Sequence, residues 1–292
     1  MKKLIAALAL TVISVLALTG CAAGGAPAAA PSPGRYADVN GLHMYYEVHG
    51  PDQGRPLVLL HGALSGITTD FGELLPELAK TRRVIAIEQQ AHGRTADVDR
   101  PLRIQQMAAD TVALLRSIGV QQADFFGYSL GAGIAFEIGV THPDLVHKLV
   151  LTSLTYSTDG LHPGLLDGLQ GVTAEMMHGS PFHEGYLATA PRPQDFPVLI
   201  EKNKDMQLNL PSWSPEVVKG LAAPSLIVIG DSDIVRPEHS VELFRLLGGG
   251  VVGDMAGLPK SRLAIVPGAT HITVVHQPTV LLAIIPPFLD AA

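Results

Sequence analysis

Beyond residue 35, apolar positions gather into short continuous runs: PLVLL (56–60), RVIAI (83–87), DFFG (124–127), KLVLTS (148–153), SLIVIG (225–230) and RLAIV (262–266). Unbroken apolar runs of this length predict strands buried on both faces. The stretches between them have a different period. Ile104, Met107, Ala108, Thr111, Val112, Leu115 and Ile118 recur at helical spacing, and Gly119 stands where a helix would stop. Strand alternating with helix predicts an α/β architecture with a doubly wound, mostly parallel sheet. One segment departs from this. In YADVNGLHMYYEVHG (36–50), Asn40-Gly41 between two strand-like runs predicts an antiparallel hairpin ahead of the sheet.

The alternation lapses between about residues 156 and 221. That stretch holds seven prolines, the only tryptophan (Trp213) and no clear strand. It is too long for a simple loop. GLLDGLQ and FPVLIEKNKDM inside it have helical apolar spacing, so a helical cap inserted over the sheet is expected.

Composition adds limits. The chain has 292 residues, 47% of them hydrophobic, enough for a sizeable core. A formal net charge of −7 with no basic cluster argues against nucleic acid as the main partner. The N-terminus is separate in character. MKK is followed by an uncharged apolar run from Leu4 to Leu18 and then by LTGC. That run is shorter than the ~20 residues of a spanning helix and has the layout of an export signal. Leu18-Thr19-Gly20-Cys21 resembles the lipobox of bacterial lipoproteins. The resemblance implies a cleaved signal at 1–20 and lipidation of Cys21, the only cysteine. It also implies a lipid-anchored, extracytoplasmic protein, on the outer membrane facing the periplasm if the cell is Gram-negative. Several acyl chains on Cys21 would hold the membrane stably. Residues 21–35, without large side chains before Arg35, read as a tether to a domain over 36–292.

The candidate chemistry centres on Gly127-Tyr128-Ser129-Leu130-Gly131. It follows the run DFF and opens LGAGIAFEIG, so Gly-x-Ser-x-Gly stands in a strand–turn–helix context. A turn that sharp forces the serine into an unfavourable backbone conformation and lifts its Oγ clear of the sheet. Gly127 and Gly131 must then be small, and Gly133 is expected to let the helix pack close to the strands. The helix N-terminus brings free N–H groups to the reacting atom.

With these residues the chain resembles the α/β-hydrolase superfamily over about residues 36–292. The resemblance implies the α/β-hydrolase fold, with nucleophile, acid and histidine in that order. His61-Gly62 after PLVLL is similar to the family's oxyanion turn, which by that match makes the N–H groups of Ala63 and Leu130 the oxyanion donors. His271, after RLAIV and a glycine-containing turn, matches the family histidine. For the acid, Gly-x-x-Asp-x-x-x-Pro falls on Gly230, Asp233 and Pro237, which favours Asp233. Asp231, expected to bond backbone N–H groups of its own turn, and Asp159 remain alternatives. In EQQAHGRT (88–95), Ala91 replaces the first glycine of a triplet that relatives carry as Gly-His-Gly, and the segment is read as a structural turn.

Serine alone is a poor nucleophile at neutral pH; it needs a base, and the base needs a carboxylate. The expected activity is therefore a serine hydrolase acting on a small, neutral, partly apolar ester or lactone, because a weakly charged apolar cap suits such a molecule. Two rivals stand beside it. The same triad in relatives cleaves carbon–carbon or amide bonds or supports perhydrolysis, and a binding lipoprotein on a hydrolase scaffold needs no triad at all. A serine at the elbow argues against the branches with an Asp nucleophile. No cofactor is implied, since neither a phosphate loop nor a dinucleotide fingerprint is present. His271 and His276 lack a third ligand nearby, so no metal site is expected. His43, His49, His142, His147, His239 and His276 are expected at the surface or in caps. His92 is a minor candidate for the site, and His162, His178 and His183 are expected to be solvated.

Overall fold

The computed structural model describes residues 34–291. β1 (Arg35–Val39) and β2 (Leu42–His49) pair antiparallel across Asn40-Gly41. Both turn residues have positive φ (49° and 82°), which a two-residue hairpin of this hand needs and Asn-Gly adopts most readily. The remaining strands are β3 (Leu57–Leu60), β4 (Val84–Ile87), β5 (Ala123–Tyr128), β6 (Val146–Thr152), β7 (Ser225–Ser232) and β8 (Arg262–Thr270). They form one eight-stranded sheet in the order β1-β2-β4-β3-β5-β6-β7-β8. β2 runs against both its neighbours, and the pairs from β4 to β8 are all parallel. All six apolar runs lie on these six strands.

Side-chain alternation explains why the runs are apolar throughout. Val58, Leu60, Ile85, Ile87, Phe125, Leu149 and Leu151 face one core, while Leu57, Leu59, Val84, Ala86, Phe126 and Val150 face the other. A strand sandwiched in this way has no wet face, so no polar alternation survives. α1 (Ile67–Phe71), α2 (Leu74–Leu78) and α11 (Pro278–Asp290) cover the second core. α3 (Ile104–Ser117) and α4 (Leu130–Thr141) cover the first. α3 ends as its sequence requires, with Gly119 at φ 82°. An ionic tie holds its outer side: buried Asp110 accepts from Arg100, from Gln106 and from Asn40 Nδ2 (2.9 Å), joining the helix to the hairpin turn.

Between β6 and β7 the chain forms α5 (Leu165–Gln170), α6 (Pro181–Thr189), α7 (Phe196–Leu208) and α8 (Pro215–Lys219), with three short 3-10 turns. GLLDGLQ and FPVLIEKNKDM are thus both helical. Phe196, Leu199, Ile200 and Met206 of α7 and Tyr186 of α6 join the first core, so this insertion is packed and not a loose excursion. α9 (Pro237–Leu246) and α10 (Gly253–Ala256) complete the chain between β7 and β8.

The lipobox, the signal segment and most of the tether lie outside the described residues. No helix among the described residues is long and apolar enough to cross a membrane.

Candidate active site

Ser129 sits between the end of β5 and the start of α4 with φ 52° and ψ −113°. A non-glycine residue at such a φ costs on the order of 1–3 kcal/mol and persists only where its surroundings over-determine it. Here they do. The Ser129 N–H donates to Thr152 O (2.9 Å), and its carbonyl accepts from Ala132 N (2.9 Å) and Gly133 N (3.1 Å). A Cβ on Gly127 would lie 2.2 Å from Gly131 O, and one on Gly131 would lie 1.9 Å from Leu60 O. Both glycines are therefore required by backbone contact. Gly133 has a different reason from the one expected: a Cβ there would meet Ile104 Cδ1 of α3 at 2.9 Å, so it is small to admit a neighbouring side chain, not the strands.

The histidine and the acid arrive from the last two strands. His271 follows β8 and Asp233 follows β7, both at the carboxyl edge of the sheet where ligands of open α/β sheets gather. Ser129 Oγ lies 3.0 Å from His271 Nε2, and His271 Nδ1 lies 2.7 Å from Asp233 Oδ1. A carboxylate can only accept, so Nδ1 carries the proton and Nε2 offers its lone pair to the serine hydroxyl. Burial works to raise the Asp233 pKa, but the hydrogen bond and charge of His271, with Ser153 Oγ and the Val235 N–H, outweigh it and hold the carboxyl below the usual range. Tyr128 donates its hydroxyl to His271 O (2.8 Å), fixing the histidine loop to the elbow.

The other two acids are elsewhere engaged. Asp231 accepts from Gly268 N in β8 (2.9 Å), a cross-strand partner and not an N–H of its own turn as expected. Asp159 caps nothing catalytic; its backbone carbonyl accepts from Arg236 (2.6 Å).

Ala63 and Leu130 line the same cavity as Ser129, and neither backbone N–H makes a hydrogen bond among the described residues. Leu130 is the first residue of α4, whose leading N–H groups have no intrahelical acceptor. The opposite turn is held from behind by Asp70 of α1. Its Oδ2 accepts from Gly62 N (2.7 Å) and from Ser65 Oγ, which bracket Ala63 and Leu64. Leu64 has φ 62°, so this turn too is held in a conformation it would not choose. Burial pushes the Asp70 carboxyl up to about 6 despite those hydrogen bonds.

Behind the turn, His61 and His92 are buried with rings 5.1 Å apart. Burial, reinforced for His61 by its neighbour His92, lowers them to about 3 and about 4. Both are therefore neutral at working pH. His61 Nδ1 donates to Gly62 O (2.7 Å) and its Nε2 accepts from Gln89 N (3.0 Å), tying β3 to β4 at the site's edge. His92 does not line the cavity. Ala91 adopts φ 64°, a left-handed conformation that costs a residue with a Cβ about 1–2 kcal/mol. His239, expected at the surface, is buried instead. It stacks on Tyr156 (4.1 Å, 15°) and its Nε2 accepts from Tyr156 N (3.3 Å). His162, His178 and His183 do not line the cavity.

Two residues were not anticipated from sequence: Ser153, whose hydroxyl donates to Asp233 Oδ2 (2.6 Å), and Asp70. A weak signal existed for Ser153, a polar residue directly after a buried strand. For Asp70 there was only a lone acid in the short helical run ITTDF.

The cavity has a volume of about 390 Å³ and is lined by β-strand ends and by residues of α5, α6 and α7. No Lys, Arg, Asp or Glu side chain lines it.

This architecture is the α/β-hydrolase fold. Residues 55–171 match the family model described as alpha/beta hydrolase fold. That span contains Ser129 and the turn that carries Ala63, while Asp233 and His271 lie beyond it. Among curated proteins, the chain is 34% identical over 132 residues to 2-hydroxymuconate semialdehyde hydrolase of Pseudomonas sp. (strain CF600), covering 43% of this chain and 45% of that protein. It is 32% identical over 113 residues to pyrrolizixenacetamide deacetylase of Xenorhabdus hominickii, covering 39% and 42%. These matches thus span less than half the length of either relative. Among solved structures, the enol-lactonase from Burkholderia xenovorans LB400 superposes with a TM-score of 0.65 at 20% identity, covering 88% of this chain and all of that one. The meta-cleavage product hydrolase from Pseudomonas fluorescens IP01 gives 0.68 at 17%, covering 89% and 98%.

Proposed function

We propose that the protein is a serine hydrolase that cleaves a neutral carboxylic ester or lactone through an acyl-enzyme. The observation that carries this reading is the continuous hydrogen-bond chain from Ser129 Oγ through His271 to Asp233, opening on an apolar cavity. Ser129 Oγ attacks the acyl carbonyl as His271 Nε2 takes its proton. Asp233 stabilises the imidazolium that forms. The tetrahedral oxyanion is received by the N–H groups of Ala63 and Leu130, where loss of one such donor typically costs about 2.7–4 kcal/mol of barrier. His271 then protonates the departing alkoxide. A water, deprotonated by His271, attacks the acyl carbon, and the proton returns to Ser129 Oγ as the carboxylic acid leaves.

An ester or lactone is favoured because the lining carries no fixed charge to hold an anionic substrate. Carbon–carbon cleavage is the second reading, favoured by the similarity to 2-hydroxymuconate semialdehyde hydrolase and to the meta-cleavage product hydrolase. It would use the same residues with a carbon leaving group. Fluorophosphonate labelling followed by a screen of esters, lactones, amides and ring-cleavage products tests these readings. Label on Ser129 with turnover of esters or lactones is expected. Absence of label would point to a binding protein on this scaffold, and turnover of ring-cleavage products alone would favour the second reading.

We also propose membrane attachment through lipid on Cys21. Metabolic palmitate label should be lost in Cys21→Ser, and the protein should leave the membrane fraction. Label that persists in this variant would rule the anchor out.

A further inference from the structure

The cavity is apolar, yet one helix turns two amide side chains into it. Asn203, Met206, Gln207 and Leu210 all line it. Asn203 and Gln207 stand one turn apart on α7, so helical spacing places Asn203, Met206 and Gln207 on a single face, with Leu210 just past the helix end. The amides differ from every other polar side chain in the lining. Ser153 donates to Asp233, Thr155 to Ser157 O, and Tyr128 to His271 O. Ser232 bonds Asp231, Thr270 bonds Thr273, and the Trp213 N–H donates to Glu137. Ser129 and His271 bond each other. Asn203 and Gln207 make no side-chain hydrogen bond among the described residues, and Asn203 Oδ1 is buried without a partner.

That oxygen is sealed from the cavity, so the atoms a ligand meets are Asn203 Nδ2 and the amide of Gln207, which are accessible and unpaired and which a substrate covering this wall would have to pair or leave desolvated. From this we infer that Asn203, assisted by Gln207, is a specificity-determining subsite for a neutral hydrogen-bonding group, a hydroxyl or a secondary amide, carried by the substrate away from its scissile carbonyl. The oxygen of that group would accept from Asn203 Nδ2 or Gln207 Nε2, and its donor would be taken by Gln207 Oε1. A charged group is unsuited, because no countercharge lines the cavity. The inference rests on the hydrolase reading above and narrows it from neutral esters and lactones to polar-substituted ones.

The test is a matched set of medium-chain esters carrying no substituent, a hydroxyl or a secondary amide, placed in turn on the acyl and the alcohol half, with hydrolysis followed by pH-stat. The wild-type protein is expected to prefer one substituted ester over its plain counterpart by about tenfold in kcat/KM, as one added hydrogen bond in a dry site would give. Comparing the hydroxyl and amide arms identifies which group it takes. Asn203→Leu, close in volume, should invert the preference, lowering turnover of the substituted ester and raising that of the plain one. Should Asn203→Leu melt early, Asn203→Ala and Gln207→Leu provide the same comparison. A wild-type ratio near one for every placement, or a preference unchanged in the folded variants, overturns the subsite. If instead fluorophosphonate leaves Ser129 unlabelled and no ester is hydrolysed, the hydrolase reading has failed and the subsite falls with it.

Discussion

Ser153, at the end of β6, donates its hydroxyl to the oxygen of Asp233 that does not face His271, at 2.6 Å. Ser153 is buried and held at φ 57°, so this contact is kept despite backbone strain. It fixes the carboxylate's rotation and draws charge from it. Ser153→Ala should lower kcat about tenfold with little change in KM, since hydrogen bonds to charged groups are worth about 1.5–3 kcal/mol and some water will substitute. It should also move the acidic limb of kcat/KM to higher pH, because a less shielded carboxylate holds the imidazolium more tightly. An unchanged pH profile would leave Ser153 with a packing role only.

Asp233→Asn should cost on the order of 10³–10⁴ in kcat while the fold persists, because an amide opposite Nδ1 favours the wrong tautomer. Asp231→Asn disturbs only the bond to Gly268, and Asp159→Asn an exposed side chain, so each should cost far less. Near-normal kcat in Asp233→Asn, with loss in either other variant, would move the acid to that position.

Asp70 allows a pH test of stability. Its folded pKa is raised to about 6 from 3.8, so between those values the folded state binds the extra proton and stability falls as pH rises. Above pH ~6 the buried carboxylate carries the whole penalty, on the order of 2–3 kcal/mol. Asp70→Asn keeps an acceptor for Gly62 N and removes the charge. Its Tm advantage over the native protein should be absent near pH 4, grow towards pH 6 and then level off. A Tm difference independent of pH would show that the carboxyl is not perturbed. Asp70→Ala should lower kcat, because the turn that carries Ala63 then loses the carboxylate that ties Gly62 N to Ser65 Oγ.

Gly131→Ala places a methyl where Leu60 O lies 1.9 Å away. The elbow and β3 must separate, and with them the Leu130 and Ala63 donors. We expect at least a hundredfold fall in kcat and a loss of about 1–3 kcal/mol of stability from overpacking. Activity near that of the native protein would mean that the two turns are not so closely coupled.

Much of the molecule was legible in the chain, for local reasons. A strand buried on both faces has to be apolar at every position, so the six runs marked themselves. Asn40-Gly41 and Gly127-Tyr128-Ser129-Leu130-Gly131 are tight turns whose backbone angles few residues tolerate, and such turns show in the sequence. The order of Ser129, Asp233 and His271 was readable only because each follows a strand end.

Contacts between segments distant in the chain were not readable. Ser153 meets Asp233 across 80 positions, and Gly268 claims Asp231 across 37, because parallel pairing of β6, β7 and β8 brings those ends together. Asp70 looks like a surface acid until α1 folds against the turn from Gly62 to Ser65. His239 looked exposed until Tyr156 covered it. Asn203 is an ordinary polar residue on a helix until folding sets it in the wall of the cavity that Ser129 also lines. The sequence by itself determined which segments are strands or helices and which turns are tight, because those depend on period and on steric limits a few residues long. Only the tertiary structure decided which polar groups are buried and what each one faces, because burial is a property of the packed surfaces and not of the residue that is covered.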